Sequence, residues 1–359
     1  MKVGIVGLQQ AGKTMLFRAI TQGQAPIDEY GGKANIGVVA VPDEHMDWLI
    51  EINHPKKITP ATIEFIDGAA KIGGEQRGKF GSDFFEDVRQ VDAVLHVVRT
   101  YESAGGDAPT PVKDARDLTE ELVLADLQSV ESRIVRIEKS LHSTKKDATT
   151  PQTMERDLLV SLKDAFEGGQ LVHALGLTPD QEKLVHGYDF MSMKPQIIVA
   201  NITEDQIGQP DTPALAELRA YCEESKIPMI ALSAKVEAEV AELPTDEQKE
   251  YLEALGLEQP ARDRLIHETY RSLGLISFYT AGEPEVKAYS IAEGTSVVDA
   301  AGKIHSDLAR GFIRAEVGHY DDVRAAGGWE EAKRANKVGL FMKDYIVQNG
   351  DIMYIRFKV

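Results

Sequence analysis

The sequence predicts an α/β fold with a mostly parallel sheet, an inserted antiparallel helical hairpin and a C-terminal β-rich domain. Three observations lead to this prediction. Apolar runs that end in polar residues recur along the chain, as buried parallel strands do. A long stretch with heptad periodicity interrupts them. After about residue 275 the runs become short and alternating, with glycine-containing turns between them, which is typical of a small β-rich domain.

The first element is predicted to be a strand, a loop and a helix. Residues 3–6 are apolar, and residues 15–20 have apolar side chains at helical spacing. The loop between them reads GLQQAGKT over residues 7–14 and satisfies the pattern G-x-x-x-x-G-K-[ST]. Such a loop points backbone N–H groups at phosphate oxygens beside a helix N-terminus. Lys13 is therefore expected to reach the β- and γ-phosphates, and the Thr14 hydroxyl to bind Mg²⁺.

Further strands are predicted at residues 62–67, 93–98, 196–201 and 228–233. Asp67 ends the first of these, where a phosphate-binding protein of this kind needs a carboxylate to hold Mg²⁺ through a water. A lone Asp at a strand end is otherwise a turn residue or a helix cap. With the preceding loop, we favour Thr14 and Asp67 as the metal site.

A base-binding site is predicted at the ends of the last two strands. Asn201 and Glu204 belong to an N-x-x-E sequence, and Ser233 and Ala234 follow the next strand. GTPases carry N-K-x-D at the first position, and here the acid is one methylene longer and Ile202 replaces the lysine. Guanine selectivity should therefore be weak. Asn201 could still serve an edge that donates and accepts, as N6 and N7 of adenine do.

Almost 100 residues separate the strands at 93–98 and 196–201, too many for one crossover helix. Two helices with apolar seams are predicted within them, joined by a polar, turn-rich connection at residues 143–151. The seam residues are Val123, Leu127, Val130, Ile134, Ile137 and Leu141 in the first helix, and Leu158, Leu162 and Phe166 in the second. The pattern indicates an antiparallel helical hairpin.

The C-terminal strands are predicted at residues 277–280, 286–290, 313–317 and 352–357. The pair Asn349-Gly350 is a hairpin-turn signal ahead of the last strand. The expected domains are 1–115 with 195–275 for the nucleotide-binding part, 116–194 for the hairpin and 276–359 for the C-terminal part.

The charge of the chain is unevenly distributed. Its 359 residues carry 40 Lys+Arg and 58 Asp+Glu, a formal net charge of −18, which disfavours non-specific binding to nucleic acid or to an anionic membrane. Residues 303–359 contain ten basic and eight acidic residues, a net +2, which leaves −20 on residues 1–302. Any RNA contact is therefore expected at local basic sites. The candidates are Lys303, Arg310, Arg314, Lys333, Arg334 and Lys337, with Lys145 and Lys146 at the hairpin tip.

The single cysteine, Cys222, cannot form an intramolecular disulfide, which suits a reducing cytosol. It lies on a predicted amphipathic helix and is expected to be a packing residue. Residues 3–8 are too short for a signal peptide, and no apolar run approaches the roughly 20 residues of a membrane span. A cytoplasmic protein without a membrane partner is expected.

Longer motifs then point to a family. Residues 35–43 (NIGVVAVPD) look like N-V-G-V-V-x-V-P-D, residues 60–67 (PATIEFID) like P-A-T-x-E-F-V-D, and residues 91–99 (VDAVLHVVR) like V-D-A-x-x-H-V-V-R. With N-x-x-E at 201–204 and the serine-alanine segment at 233–243, these resemble the YchF/Obg-like ATPases, a branch of the translation-factor-related P-loop GTPases. The resemblance covers nearly the whole chain.

The resemblance implies a P-loop G domain, an inserted helical hairpin and a TGS domain, which is a ubiquitin-like β-grasp module. The part of the chain that resembles the TGS domain includes residues 279–282, 301–307 and 311–315. It also implies Mg²⁺-dependent ATP hydrolysis with GTP tolerated, and association with ribosomes. Carried onto this chain, the phosphate contacts would be Gln10, Ala11, Gly12, Lys13, Thr14 and Met15. The base contacts would be Asn201, Glu204, Ser233 and Ala234.

The chain departs from the family pattern in its switch regions. Residues 31–34 read GGKA, so the threonine that binds the metal in switch I is missing. In switch II, Ala70 replaces the family's glycine, whose N–H meets the γ-phosphate, and Lys71 replaces a hydrophobic residue. Gln9-Gln10 replaces the Pro-Asn pair of the loop. We expect nucleotide binding to be kept and hydrolysis to be slow or differently triggered.

Three functions compete at this point. The first is an ATPase switch that reports its nucleotide state to the translation machinery. The second is a binding module that senses nucleotide with little or no hydrolysis, as the missing switch I threonine suggests. A small-molecule kinase is disfavoured, because the base-site elements at Asn201 and Ser233 and the C-terminal domain would have no role in it.

Overall fold

The computed structural model describes residues 1–28, 34–68, 82–103, 105–144, 151–168 and 175–358. Its strands are β1 (Lys2–Val6), β2 (Asn35–Ala40), β3 (Ile58–Thr59), β4 (Thr62–Asp67), β5 (Ala93–Arg99), β6 (Gln196–Asn201), β7 (Met229–Leu232), β8 (Leu275–Ala281), β9 (Val286–Ala292), β10 (Phe312–His319), β11 (Gly339–Phe341) and β12 (Asp351–Phe357).

The helices are α1 (Lys13–Thr21), α2 (Glu44–Asn53), α3 (Ser82–Arg89), α4 (Pro111–Thr144), α5 (Pro151–Glu167), α6 (Pro179–Val185), α7 (Pro213–Ser225), α8 (Ala234–Glu242), α9 (Thr245–Ala254), α10 (Ala261–Ser272), α11 (Val297–Ile304), α12 (Ser306–Arg310), α13 (Tyr320–Ala326) and α14 (Trp329–Arg334). Within the described ranges, no helix combines the length and apolar character that a membrane span requires.

The chain forms two compact units, and both are discontinuous in sequence. Unit 1 comprises residues 1–37 and 64–261, and unit 2 comprises residues 38–63 and 262–359. The inclusion of residues 38–63 in the C-terminal unit was not expected from the sequence. The division into three domains stays a prediction.

The first sheet has the strand order β2-β4-β1-β5-β6-β7, and every neighbouring pair from β4 to β7 is parallel. Its central strands are buried over almost their whole length, which explains their continuous apolar sequences. The predicted mostly parallel sheet is confirmed. Because parallel strands end at the same edge of a sheet, Asp67 and Asn201 end their strands at the edge where the loop after β1 begins.

The long insertion is a helical hairpin made of α4 and α5. Arg133 pairs with Glu155 at 2.8 Å, and the earlier Glu131 pairs with the later Lys163 at 2.9 Å, so the helices run antiparallel. The predicted seam forms their common core, with Leu127 and Leu141 packed at its margin. The hairpin prediction is confirmed, and its tip with Lys145 and Lys146 lies outside the described residues.

The base of the hairpin is fixed by buried polar groups. The Asp126 carboxylate of α4 accepts hydrogen bonds from the backbone N–H groups of Met191 and Ser192, at 3.0 and 2.7 Å. The ammonium group of Lys194 donates to the carbonyl oxygen of Arg89 at the end of α3, at 2.7 Å. These bonds attach the chain that returns from the hairpin to α3 and α4 before β6 begins.

The second sheet has the order β11-β10-β12-β8-β9-β3 and mixes parallel and antiparallel pairs. Helix α11 packs on one face of it through a core that includes Phe278, Val297 and Met353. The predicted C-terminal strands are confirmed, but the hairpin at Asn349-Gly350 is wrong. The Asn349 side chain instead accepts the Ser277 N–H at 3.0 Å, and β12 pairs with β8 and β10 rather than with the strand before it.

The segment between β2 and β4 is built into this second sheet. Strand β3 lies parallel to β9, at the sheet edge. The Tyr279 hydroxyl donates to Asp43 at 2.7 Å, and the ring of His45 stacks on Tyr320 with centroids 3.9 Å apart. Asp43 also caps α2 by accepting the N–H groups of His45 and Met46. Residues 38–63 are therefore an integral part of unit 2.

Candidate nucleotide site

The loop between β1 and α1 is held tightly by its surroundings. Gly7 has φ +145°, and a Cβ there would lie 2.3 Å from the carbonyl oxygen of Val97. Gly12 has φ +100°, and its Cβ would lie 2.3 Å from the Asn201 amide nitrogen. Only glycine meets both demands. Two strands of the sheet, β5 and β6, thus set the path of the loop.

Lys13 folds its side chain over the loop. Its ammonium group donates to the carbonyl oxygens of Gly7 and Leu8, each at 3.0 Å. Burial lowers the pKa of Lys13, and the nearby Asp67 carboxylate opposes that shift. An ammonium group has three protons, so one remains for an anion placed in the loop.

The two predicted metal ligands lie in direct contact. The Thr14 hydroxyl donates to Asp67 Oδ2 at 2.9 Å, and the Asn35 amide donates to the same oxygen at 3.2 Å. Asp67 is 4% exposed. A hydroxyl and a carboxylate are the hard oxygen donors that suit Mg²⁺, which keeps waters and phosphate oxygens as its other ligands. No group of three His, Cys, Asp or Glu side chains that could hold a metal ion is found among the described residues.

Asn201 ties three parts of the site together. Its amide nitrogen donates to the Ala11 carbonyl at 2.9 Å and to the Tyr101 hydroxyl at 3.2 Å, and its Oδ1 accepts the Ala234 N–H at 3.0 Å. The side chain is buried. Both amide protons are therefore committed within the protein, and the amide has only acceptor capacity left for a base.

The other predicted site residues differ in their exposure to solvent. Glu204 is half exposed and pairs with Lys235 at 3.6 Å. Ser233 is buried and caps α8. Gln10 and Met15 are exposed on the loop and on the first turn of α1. The structure thus groups Lys13, Thr14 and Asp67 at the predicted phosphate end, and Asn201 with Ala11 and Ala234 at the predicted base end.

Sequence reasoning missed two contributors, Asn35 and Tyr101. Tyr101 follows the C-terminal end of β5, and the rule that selected Asp67 and Asn201 at strand ends could have found it. Asn35 begins β2, and no local pattern places it beside Asp67. The switch positions 31–33, Ala70 and Lys71 lie outside the described residues.

Known proteins match this chain over its full length. The ribosome-binding ATPase YchF of Bacillus subtilis is 39% identical over 368 residues, which cover 100% of both chains. The chain belongs to the YchF family. The ribosome-binding ATPase YchF of Escherichia coli O157:H7 is 35% identical and covers 100% of this chain and 99% of its own. The family model YchF-GTPase_C, described as a protein of unknown function (DUF933), matches residues 275–358.

A solved structure of the family has the same fold. The Schizosaccharomyces pombe YchF GTPase matches with a TM-score of 0.87 and 27% identity, over 99% of this chain and 97% of that one. The family and the fold class predicted from the sequence are confirmed. The assignment of the C-terminal part as a TGS domain stays a prediction.

Proposed function

We propose that this protein is a Mg²⁺-dependent ATPase that acts on the ribosome in the cytoplasm, with GTP as a poorer substrate. The observation that carries the proposal is the grouping of Lys13, Thr14 and Asp67 around the loop of residues 7–12. Full-length relatives are named ribosome-binding ATPases, which supports ATP as the substrate and the ribosome as the partner.

In this proposal each residue has a distinct task. The loop N–H groups bind the phosphate oxygens, and Lys13 offers its remaining proton to the β- and γ-phosphates. Thr14 and Asp67 hold Mg²⁺, which neutralises charge on the phosphates when bound. Attack of water on the γ-phosphorus breaks its bond to the bridging oxygen and releases ADP and phosphate. Asn201 and the start of α8 bind the base.

A nucleotide sensor with little hydrolysis is the second candidate. It is supported by the sequence GGKA at residues 31–34, which lacks the threonine expected to complete the metal site. Under this alternative the site binds ATP with Mg²⁺, and the partner responds to occupancy rather than to turnover.

The proposal is tested by phosphate release with Mg²⁺, with and without ribosomes, for the wild type and Lys13→Ala. We expect a drop of at least tenfold in the variant, because Lys13 meets the charge that moves during the reaction. Lys249→Ala, an exposed lysine on α9, is the control and should keep full activity. Equal rates for wild type and Lys13→Ala would refute the ATPase. Calorimetric ATP binding without turnover under any condition would select the sensor.

The ribosome contact is proposed at basic candidates that make no ion pair among the described residues, and at the hairpin tip, which lies outside them. Four of the basic candidates in unit 2 are paired with neighbouring acids: Arg310 with Asp307, Lys333 with Glu316, Arg334 with Glu331, and Lys337 with Asp322. In the part of the chain that is described, Lys303 and Arg314 are exposed and make no ion pair. These two residues, with Lys145 and Lys146, are the proposed contacts with ribosomal RNA.

A further inference from the structure

We propose that Tyr101 selects the base. Its hydroxyl and the Asn201 amide together present one donor and one acceptor to the edge of adenine that carries N7 and N6. The inference rests on the proposed nucleotide site and adds to it a residue that sets the preference for ATP over GTP.

The orientation of the Asn201 amide is unambiguous. The Ala11 carbonyl can only accept a hydrogen bond and the Ala234 N–H can only donate one, so these two partners fix which atom is Nδ2 and which is Oδ1. Of the two Nδ2 protons, one goes to Ala11 and the other to the Tyr101 hydroxyl at 3.2 Å. One lone pair of Oδ1 remains.

Tyr101 is held in place beside this amide by its own strand. Arg99 of β5 is in register with Asn201 of β6. The next residue, Thr100, donates both its N–H and its hydroxyl to the Asn201 carbonyl, at 3.2 and 3.0 Å. Tyr101 follows directly and is half buried. Its hydroxyl oxygen accepts from Asn201, so its own proton is available to a ligand.

The pair therefore offers an acceptor, Asn201 Oδ1, and a donor, the Tyr101 O–H. Adenine presents the reverse arrangement, with a donor at N6 and an acceptor at N7, whereas guanine presents acceptors at both O6 and N7. Guanine would place O6 against an oxygen that has no proton to give. A phenylalanine at 101 would remove the donor to N7 of either base and would release the second Asn201 proton, which could then serve O6 of guanine.

The test is a double-mutant cycle measured by calorimetry with the full chain and Mg²⁺. ATP, 7-deaza-ATP, which lacks the N7 acceptor, and GTP are titrated into the wild type and into Tyr101→Phe. We expect 7-deaza-ATP to bind the wild type roughly three- to tenfold more weakly than ATP does, which is the range of one hydrogen bond. We expect Tyr101→Phe to bind 7-deaza-ATP and ATP with equal affinity. The ratio of ATP to GTP affinity should fall by a similar factor in the variant.

Tyr221→Phe, a half-buried tyrosine on α7, is the matched control and should keep all three affinities of the wild type. The same 7-deaza penalty in the wild type and in Tyr101→Phe would overturn the inference. So would the absence of any penalty in the wild type, a measurement that needs no variant. If the wild type bound no ATP at all, the proposed function would fail instead.

Discussion

His96 is a histidine of β5 whose imidazole ring is buried in the protein. It is fully buried, and neither ring nitrogen has a partner among the described residues. Burial, with a smaller contribution from the charge of Lys13, lowers the pKa of His96 to about 3. The imidazole is therefore neutral in the folded protein at any pH where the protein is normally handled.

This pKa makes stability depend on pH in a defined direction. In the unfolded chain His96 takes up a proton below its ordinary pKa of 6.5, and in the folded chain it does so only near 3. Stability is thus lost as the pH falls from 6.5 towards 3. Between pH 7 and pH 5 the expected loss from this group is about 2 kcal/mol.

This loss of stability is measured by urea denaturation of the wild type and of His96→Leu at pH 7 and at pH 5. The wild type should lose about 2 kcal/mol more than the variant, since leucine does not titrate. Other histidines contribute equally to both proteins and cancel in the difference. An identical pH dependence of the two would show that His96 is not the neutral group described above.

The grouping of Lys13, Thr14 and Asp67 could be predicted from sequence because its determinants are local. The spacing of Gly7, Gly12, Lys13 and Thr14 specifies one loop, and Asp67 ends a strand next to β1. For the predicted base site, the sequence indicated only that Asn201 and Ser233 lie at strand ends, and not which hydrogen bonds they make. That both protons of Asn201 are committed depends on groups far apart in sequence, and no spacing encodes such a meeting.

At the scale of elements, the hairpin depends on its attachment as well as on its seam. Asp126 is 2% exposed and uses a separate oxygen for each of the N–H groups of Met191 and Ser192. Both N–H groups belong to the turn that leads into β6. One carboxylate therefore holds the returning chain against α4.

Asp126→Asn is expected to cost about 1–3 kcal/mol, because the amide keeps one acceptor oxygen and turns its NH₂ group towards the other N–H. The measurement is urea denaturation, with amide hydrogen exchange of Met191 and Ser192 as the local readout. Asp157→Asn, in an exposed pair with Arg156, is the control and should cost less than about 1 kcal/mol. Equal costs and unchanged exchange at Met191 and Ser192 would contradict this role.

Elements with strong periodicity were predictable, and those decided by long-range packing were not. The parallel strands and the seam follow from apolar patterns, and the burial of the α7 residue Cys222 in a hydrophobic core confirms its expected packing role. Burial also raises the pKa of Cys222 to about 11. The two-residue strand β3 has no periodicity to read. The hairpin predicted from Asn349-Gly350 does not form, and the Asn349 side chain instead accepts a hydrogen bond from the Ser277 N–H of β8.

At the scale of the whole molecule, the excess of acidic residues belongs to residues 1–302 and the small basic excess to residues 303–359. Internal ion pairs neutralise most of the basic candidates in unit 2. The number of cations free for a phosphate backbone is therefore smaller than the sequence count suggests, and affinity for ribosomal RNA should depend on few positions.

Lys303→Glu with Arg314→Glu should reduce the fraction of protein that pellets with ribosomes. Ribosome binding by this variant should also depend less on salt concentration, because fewer counterions are released on binding. Lys183→Glu with Lys249→Glu makes the same change in net charge at exposed positions of α6 and α9, and should leave pelleting unchanged. Lys145→Glu with Lys146→Glu tests the hairpin tip separately. If neither basic pair affected pelleting, the proposed contact surface would be wrong.

The insertion of residues 38–63 into unit 2 determines how this protein can be divided or recombined. A gene truncated after residue 261 would keep α2 and β3 but lose β8 and β9, against which they pack. Met46 and Leu49 of α2, both buried in the full chain, would then be exposed to solvent. Because exposed apolar surface promotes association, we expect the truncated protein to aggregate. Exchange of the C-terminal part between relatives would likewise succeed only if both segments were inherited together.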